Sequence, residues 1–350
     1  MQISGIDFLN TYRPKPFSQR TFANSSPAFQ GRIGADGYRM QKSFAHYPCP
    51  CCGIEKMLTY KDIRQIMYMS EHMPAKDVIN ALGKYENSMH DVEKEIFHIL
   101  RWLSGKYPEK NLRELLDTQR PKHLQLLHER QNKIIDRLHF IGNFLSANSQ
   151  KKLEETLKES QELLSDKTCN EQFKRRVFVG KIKYLTMGFP EEDLGETICK
   201  ISEEMPKANN SVPAFIVKFT EKKPATGIER SPMDIVFAIL YPSMGSIEHV
   251  KVRSRNICNG GGPDKMSNYL LECARDNNER SSMPLKDFIK LHPEFYGVHL
   301  QAYMDKAIED INSGTVVGLE KYPEEIAKTL LDESDGKIKV DISKLNPPNA

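Results

Sequence analysis

Ser246-Ile247-Glu248-His249-Val250-Lys251-Val252-Arg253-Ser254-Arg255 opens the stretch on which the reading of this chain turns. An acid and a histidine stand side by side in what reads as a short strand, and Lys251, Arg253 and Arg255 place three cations in the next five positions. Gly260-Gly261-Gly262-Pro263-Asp264 makes a tight turn. Asn268-Tyr269-Leu270-Leu271-Glu272-Cys273 reads as a return into a helix, followed by Asp276-Asn277-Asn278-Glu279-Arg280 and Pro284-Leu285. Strand, loop and helix bring Glu248, His249 and Asn277 within reach of one another. A carboxylate and an amide oxygen are hard donors suited to Mg²⁺ or Mn²⁺. A neighbouring histidine is a general base, and the cations suit a phosphate backbone. Hydrolysis of a phosphodiester needs this combination. Taken singly, each residue has an ordinary structural explanation; the joint pattern is what points to chemistry.

The intervals resemble those of the HNH endonucleases, whose ββα-metal motif runs acid-His-hydrophobic, Pro-Arg-Ser, Gly-Gly-x-Asp, Asn, then Cys-x-x-Cys-Asn with a basic residue and Pro-Leu beyond. Glu248-His249-Val250 matches the first element, Arg253-Ser254 the second and Gly261-Gly262-Pro263-Asp264 the loop. Asn268, Cys273, Asn277, Arg280 and Pro284-Leu285 complete a frame of about 38 residues. The resemblance implies that His249 activates water, that Glu248 and Asn277 hold one Mg²⁺ or Mn²⁺, and that Asn268 fixes the loop. Arg253, Arg255 and Arg280 become candidate phosphate contacts, with nucleic acid, DNA foremost, as the partner. Departures from the pattern are Glu248 where Asp is commoner, Val252 for Pro, a longer loop before Gly261, and Asp276 in place of the second helix-side cysteine.

Cys49-Pro50-Cys51-Cys52-Gly53 resembles the zinc knuckle that such nucleases often carry upstream. The implied structural Zn²⁺ set is Cys49, Cys52, Cys273 and Asp276, with Cys51 or Cys258 as alternative sources of the fourth ligand. Seven cysteines, an odd number and unevenly placed, are too few for a disulfide scaffold. Cys169 and Cys199 read as buried fillers. His90, His98, His123, His128, His139, His292 and His299 read as ordinary surface or core residues. Nothing suggests a paired cysteine nucleophile, and the glycine run lacks the Lys-Ser/Thr of a phosphate-binding loop.

Outward from that stretch, 350 residues fit two or three structural units. Hydrophobic residues at 39% supply a core, and a net charge of +3 neither requires nor excludes a nucleic-acid partner. The longest apolar run, Ile235 to Tyr241, is far below the roughly 20 residues of a membrane-spanning helix. The start lacks a basic segment followed by an apolar one, so the expectation is a cytoplasmic protein; export by another route stays compatible with it. Residues 1–45, broken by Pro14, Pro16 and Pro27, read as an irregular tail whose Phe8, Phe17, Phe22 and Phe29 are able to pack on the body.

Residues 64–233 read as a mostly helical insertion. Leu124, Leu127, Ile134, Leu138, Ile141 and Leu145 share one face of a long helix, and Leu153, Leu157 and Leu164 continue beyond a Ser-Ala-Asn-Ser break. The two form a helical hairpin, a candidate docking arm for a protein partner. Ala214 to Phe219 reads as a strand, and Ser231-Pro232-Met233-Asp234 as a capped helix start. Residues 46–63 and 234–290 make the split HNH-like unit, 291–335 a C-terminal helical segment and 336–350 a fraying tail. The expected fold class is α+β, predominantly helical with a small split ββα-metal (HNH-like) unit. The expected function is a metal-dependent endonuclease; the alternative is a catalytically inactive, zinc-stabilised HNH-like interaction module.

Overall fold

A computed structural model describes residues 35–166, 169–223, 226–252 and 262–346. Eleven helices precede the first strand among these residues: α1 (Ala35–Ser43), α2 (Tyr60–His72), α3 (Ala75–Leu82), α4 (Asp91–Lys106), α5 (Leu112–Asp117), α6 (Arg120–Gly142), α7 (Ala147–Ser165), α8 (Glu171–Thr186), α9 (Glu192–Glu203), α10 (Val212–Thr220) and α11 (Pro232–Leu240). Then come β1 (Gly245–His249), β2 (Tyr269–Cys273), α12 (Ala274–Arg280), α13 (Leu285–Leu291), α14 (Gly297–Asn312) and α15 (Tyr322–Glu333). The two strands pair antiparallel, with Gly245 opposite Cys273 and His249 opposite Tyr269. The chain is therefore α+β and predominantly helical.

Three apolar cores organise the described residues. The first joins α2 to α5 with α10 and α11, around Ile63, Leu82, Leu100, Phe215 and Ile239. The second gathers Met40, Phe44, Tyr47 and Met57 with β2 and α13 to α15, so the C-terminal helices share a core with the strands. The third lies among α6 to α9, around Leu138, Leu157, Phe178 and Ile198. The expected hairpin is α6 and α7, whose Leu138, Leu153 and Leu157 are buried in this third core. The carboxylate of Glu191 closes its turn by accepting from the Ser146 amide and the Ser149 hydroxyl.

Three expectations are corrected. Ala214 to Phe219 lies within helix α10, not a strand. Ser211 caps it by accepting from the Ala214 amide and Pro213 sits in its first turn, both helix-start signals. Tyr269 to Cys273 is the second strand, and the helix begins only at Ala274. The ends of the chain are more ordered than read: α1 buries Met40 within the supposed tail. Residues 336–346 pack on α14, with Ile338 buried and the Gln301 amide donating to the Asp341 carbonyl. Phe8, Phe17, Phe22 and Phe29 lie outside the described residues. The start at Ser231 agrees with α11, whose capping box pairs Ser231 with Asp234.

Candidate metal centre and ββα site

Residues 49–53 form a tight knuckle: the Gly53 amide donates to the Cys49 carbonyl, and the Cys49 amide to Ile54. Gly53 has φ +76°, and a Cβ there would stand 2.2 Å from the His299 ring, so the turn requires glycine. The knuckle reaches the ββα unit through backbone bonds. Leu58 donates to Ser243 and accepts from Gly245, extending the sheet by a parallel bridge from Leu58 to Met244. The Cys273 amide donates to Cys49 Sγ at 3.3 Å.

This juxtaposition collects four donors. One ligand atom from each of Cys49, Cys52, Cys273 and Asp276 lies within 4.8 Å of all the others. Cys52 Sγ is 3.8 Å from Cys273 Sγ, and Cys49 Sγ is 3.1 Å from Asp276 Oδ2. Three soft sulfurs and one carboxylate at this spacing fit a tetrahedral metal such as zinc. Protonation follows the same geometry. Hydrogen bonds from Cys273 and Cys49 draw the Cys52 thiol down to about 6. Burial pushes the Asp276 carboxyl up to about 7 and the Cys49 thiol up to about 11. Cys51, the alternative ligand, is buried but stands outside this group, and Cys258 lies outside the described residues. Cys169 and Cys199 are half-buried rather than the buried fillers expected.

The ββα site lies beside this centre. Along β1 the side chains alternate, with Ser246 and Glu248 buried and Ile247 and His249 half-buried. His249 Nε2 is 2.8 Å from Asp264 Oδ1, and its ring stands edge-on to Tyr269 at 5.0 Å. Asn268 clasps the loop: its Oδ1 accepts from the Lys251 amide at 2.6 Å, and its Nδ2 donates to the Lys251 and Pro263 carbonyls. A Cβ at Gly262 would meet the Lys251 carbonyl oxygen at 2.1 Å and Asn268 Nδ2 at 2.5 Å, so this close approach also needs glycine.

Between the sheet and α12, Asn277 Nδ2 donates to Ser246 Oγ and the Ile247 carbonyl. Arg280 fills the rest of that interface. Its Nη1 donates to Glu248 Oε1 at 2.8 Å, Nη2 to the Val250 carbonyl and Nε to the Met283 carbonyl. Arg280 is 1% exposed, so it does not reach a phosphate, which corrects that expectation. The expected Mg²⁺ or Mn²⁺ ligation is corrected with it. Glu248 is buried and already has a cation, and a divalent ion at Glu248 and Asn277 would face the Arg280 guanidinium. The pair does not fit such an ion in this arrangement. Arg253 and Arg255 lie outside the described residues.

Four further side chains escaped the sequence reading. Asp264 partners His249, and only its place in the glycine turn hinted at it. Glu272 is fully buried on β2, where burial holds its carboxyl well above the usual range and Tyr296 donates to it at 2.6 Å. Arg275 in the first turn of α12 donates to both carboxylate oxygens of Glu93 on α4, each at 2.6 Å. His90, just before α4, has its Nε2 3.5 Å from Cys273 Sγ, and burial lowers its pKa to about 3. Both contacts join residues 182 or 183 positions apart, a separation no local spacing reveals. Comparison with family models, curated proteins and solved structures finds no match to this chain. No helix among the described residues is long and apolar enough to cross a membrane.

Proposed function

We propose that this chain is an HNH-like endonuclease that hydrolyses phosphodiester bonds of nucleic acid, DNA foremost, with its ββα unit held closed by a structural zinc ion. The observation that carries the reading is the half-buried His249, bonded to Asp264 at the mouth of a loop that Asn268 clasps. A histidine whose ring is fixed by a carboxylate is a general base with its orienting group in place. His249 takes the proton of the attacking water, Asp264 holds the imidazole, and Asn268 sets the distance between strand and loop. Lys251, half of whose side chain is exposed, stands next to this mouth, where it pairs with Glu333 at 3.8 Å; a phosphate would have to replace that partner. Cys49, Cys52, Cys273 and Asp276 hold the zinc, which supplies cross-linking rather than reaction chemistry.

The test is cleavage of plasmid DNA and of a structured RNA by purified protein, in Mg²⁺, in Mn²⁺ and in EDTA, beside His249→Ala. The expected result is cleavage reduced by about 10²-fold or more in the variant, the scale of a lost general base. Equal cleavage by the variant removes His249 from this role.

A second reading is favoured by the buried Arg280–Glu248 pair, which occupies the space between helix and sheet. On that reading the unit is a zinc-stabilised interaction module without hydrolytic chemistry. The α6–α7 hairpin, which exposes the edge-to-face pair Phe140 and Phe144, is then its docking arm. Bound zinc without cleavage under any metal condition selects it over the nuclease.

A further inference from the structure

The N-cap position of a helix ordinarily holds Ser, Thr, Asp or Asn, whose side chain accepts from the first-turn amides. His90 occupies that position on α4 and makes no capping bond. Its ring turns away from the helix and places Nε2 at 3.5 Å from Cys273 Sγ. The same turn of α4 is held to the metal centre from another side, where the buried Glu93 accepts both short bonds from Arg275, the residue next to Asp276. The Ser88 carbonyl, two residues before His90, accepts from the Ser243 hydroxyl, just ahead of β1. The start of α4 is thus docked on the donor cluster although it belongs to the helical insertion.

We propose that His90 is the outer-shell partner of the metal centre, donating Nε2–H to the Cys273 thiolate and so coupling metal occupancy to the first turn of α4. The proposal rests on the zinc reading of the cluster. Two observations place His90 outside the ligand set rather than in it. Cys49, Cys52, Cys273 and Asp276 are mutually close and already complete a tetrahedral set; of these four His90 meets only Cys273, and its other hydrogen bond is with the Pro242 backbone. Three thiolates and a carboxylate carry four negative charges against the two positive charges of zinc. An N–H directed at one sulfur offsets part of that excess and fixes the orientation of the sulfur, the role outer-shell partners play around metals.

The experiment uses the full chain. Co²⁺ spectra, Zn²⁺ competition against a chelating indicator and amide exchange over residues 91–97 are compared for the wild type, His90→Leu, His90→Gln and Asp276→Asn. His90→Leu keeps bulk without a donor and is expected to weaken Zn²⁺ binding about 10- to 100-fold. Its Co²⁺ bands stay in place, because the ligands are unchanged. His90→Gln keeps an N–H and is expected to recover most of the affinity. Asp276→Asn, a ligand change, shifts the Co²⁺ bands. Zinc slows exchange at 91–97 in the wild type and not in His90→Leu. Equal Zn²⁺ affinity in His90→Leu and the wild type overturns the role of His90 while leaving the zinc site standing. A Co²⁺ band shift in His90→Leu as large as that of Asp276→Asn also overturns it, by making His90 a ligand. A wild type that takes up neither Co²⁺ nor Zn²⁺ overturns the zinc reading and this proposal together; cleavage is read separately.

Discussion

At the scale of single residues, the buried Arg280 is the clearest departure from what its place in the motif implied. Its guanidinium satisfies Glu248 and two backbone carbonyls from the inside of the fold. Replacing Arg280 by Gln leaves a buried carboxylate without its cation, and the expected cost is about 3–5 kcal/mol in urea unfolding. A change below about 1 kcal/mol would mean that the pair contributes little. Glu93 gives a pH-dependent counterpart. It is 1% exposed, and burial pushes its carboxyl up to about 7, above the ordinary 4.5, against the pull of Arg275. A carboxyl raised by folding binds its proton more tightly in the folded state. Its contribution is therefore present below about 4.5 and is lost as pH rises through about 7. Urea unfolding of the metal-free chain is expected to show this decline between those values in the wild type and not in Glu93→Gln. An identical slope in both would assign the decline to other groups.

At the scale of elements, the loop between β1 and β2 depends on one amide side chain. Asn268→Ala removes the bonds to both Lys251 backbone groups and to Pro263, and leaves part-buried backbone groups without those partners. The expected result is a stability loss of about 1–3 kcal/mol with cleavage falling further than stability does, since His249 and Asp264 then lose their spacing. Cleavage that follows the folded fraction alone would contradict a positioning role for Asn268. What the sequence made legible follows the same physics. The long helices α6, α7 and α14 were readable because they bury one face, so their leucines recur at helical spacing. α10 and β2 were not, because each is buried nearly all round and a short apolar run has no period to distinguish helix from strand. In α10 the deciding signals were Ser211 and Pro213 at its start, which carry more information than the apolar run itself. Of the candidate site, the clustering of Cys49, Cys52, Cys273 and Asp276 was legible because their spacing matched a known frame. His90, Glu93 and Arg275 were not, because long-range packing alone brings them there.

At the scale of the whole molecule, the segments leading into and out of the helical residues 64–233 lie side by side at the ββα unit. Leu58 pairs with Met244 there, and the donor cluster closes the join. In the reduced protein without metal, burial favours the protonated forms of the Cys49 and Cys273 thiols and of the Asp276 carboxyl; coordination needs the deprotonated ligands, so metal affinity is expected to fall on acidification. Metal binding is thereby folding energy for this join, and chelation in the presence of a reductant is expected to lower the melting temperature of the chain and to broaden its transition. The most direct test of the account is the metal content of the purified chain beside Cys49→Ser, Cys273→Ser and Cys51→Ser. The account predicts a single zinc ion per wild-type chain, retained in Cys51→Ser and lost in both ligand variants together with part of the thermal stability. A wild type without metal, or zinc that depends on Cys51 and not on Cys49, would contradict it.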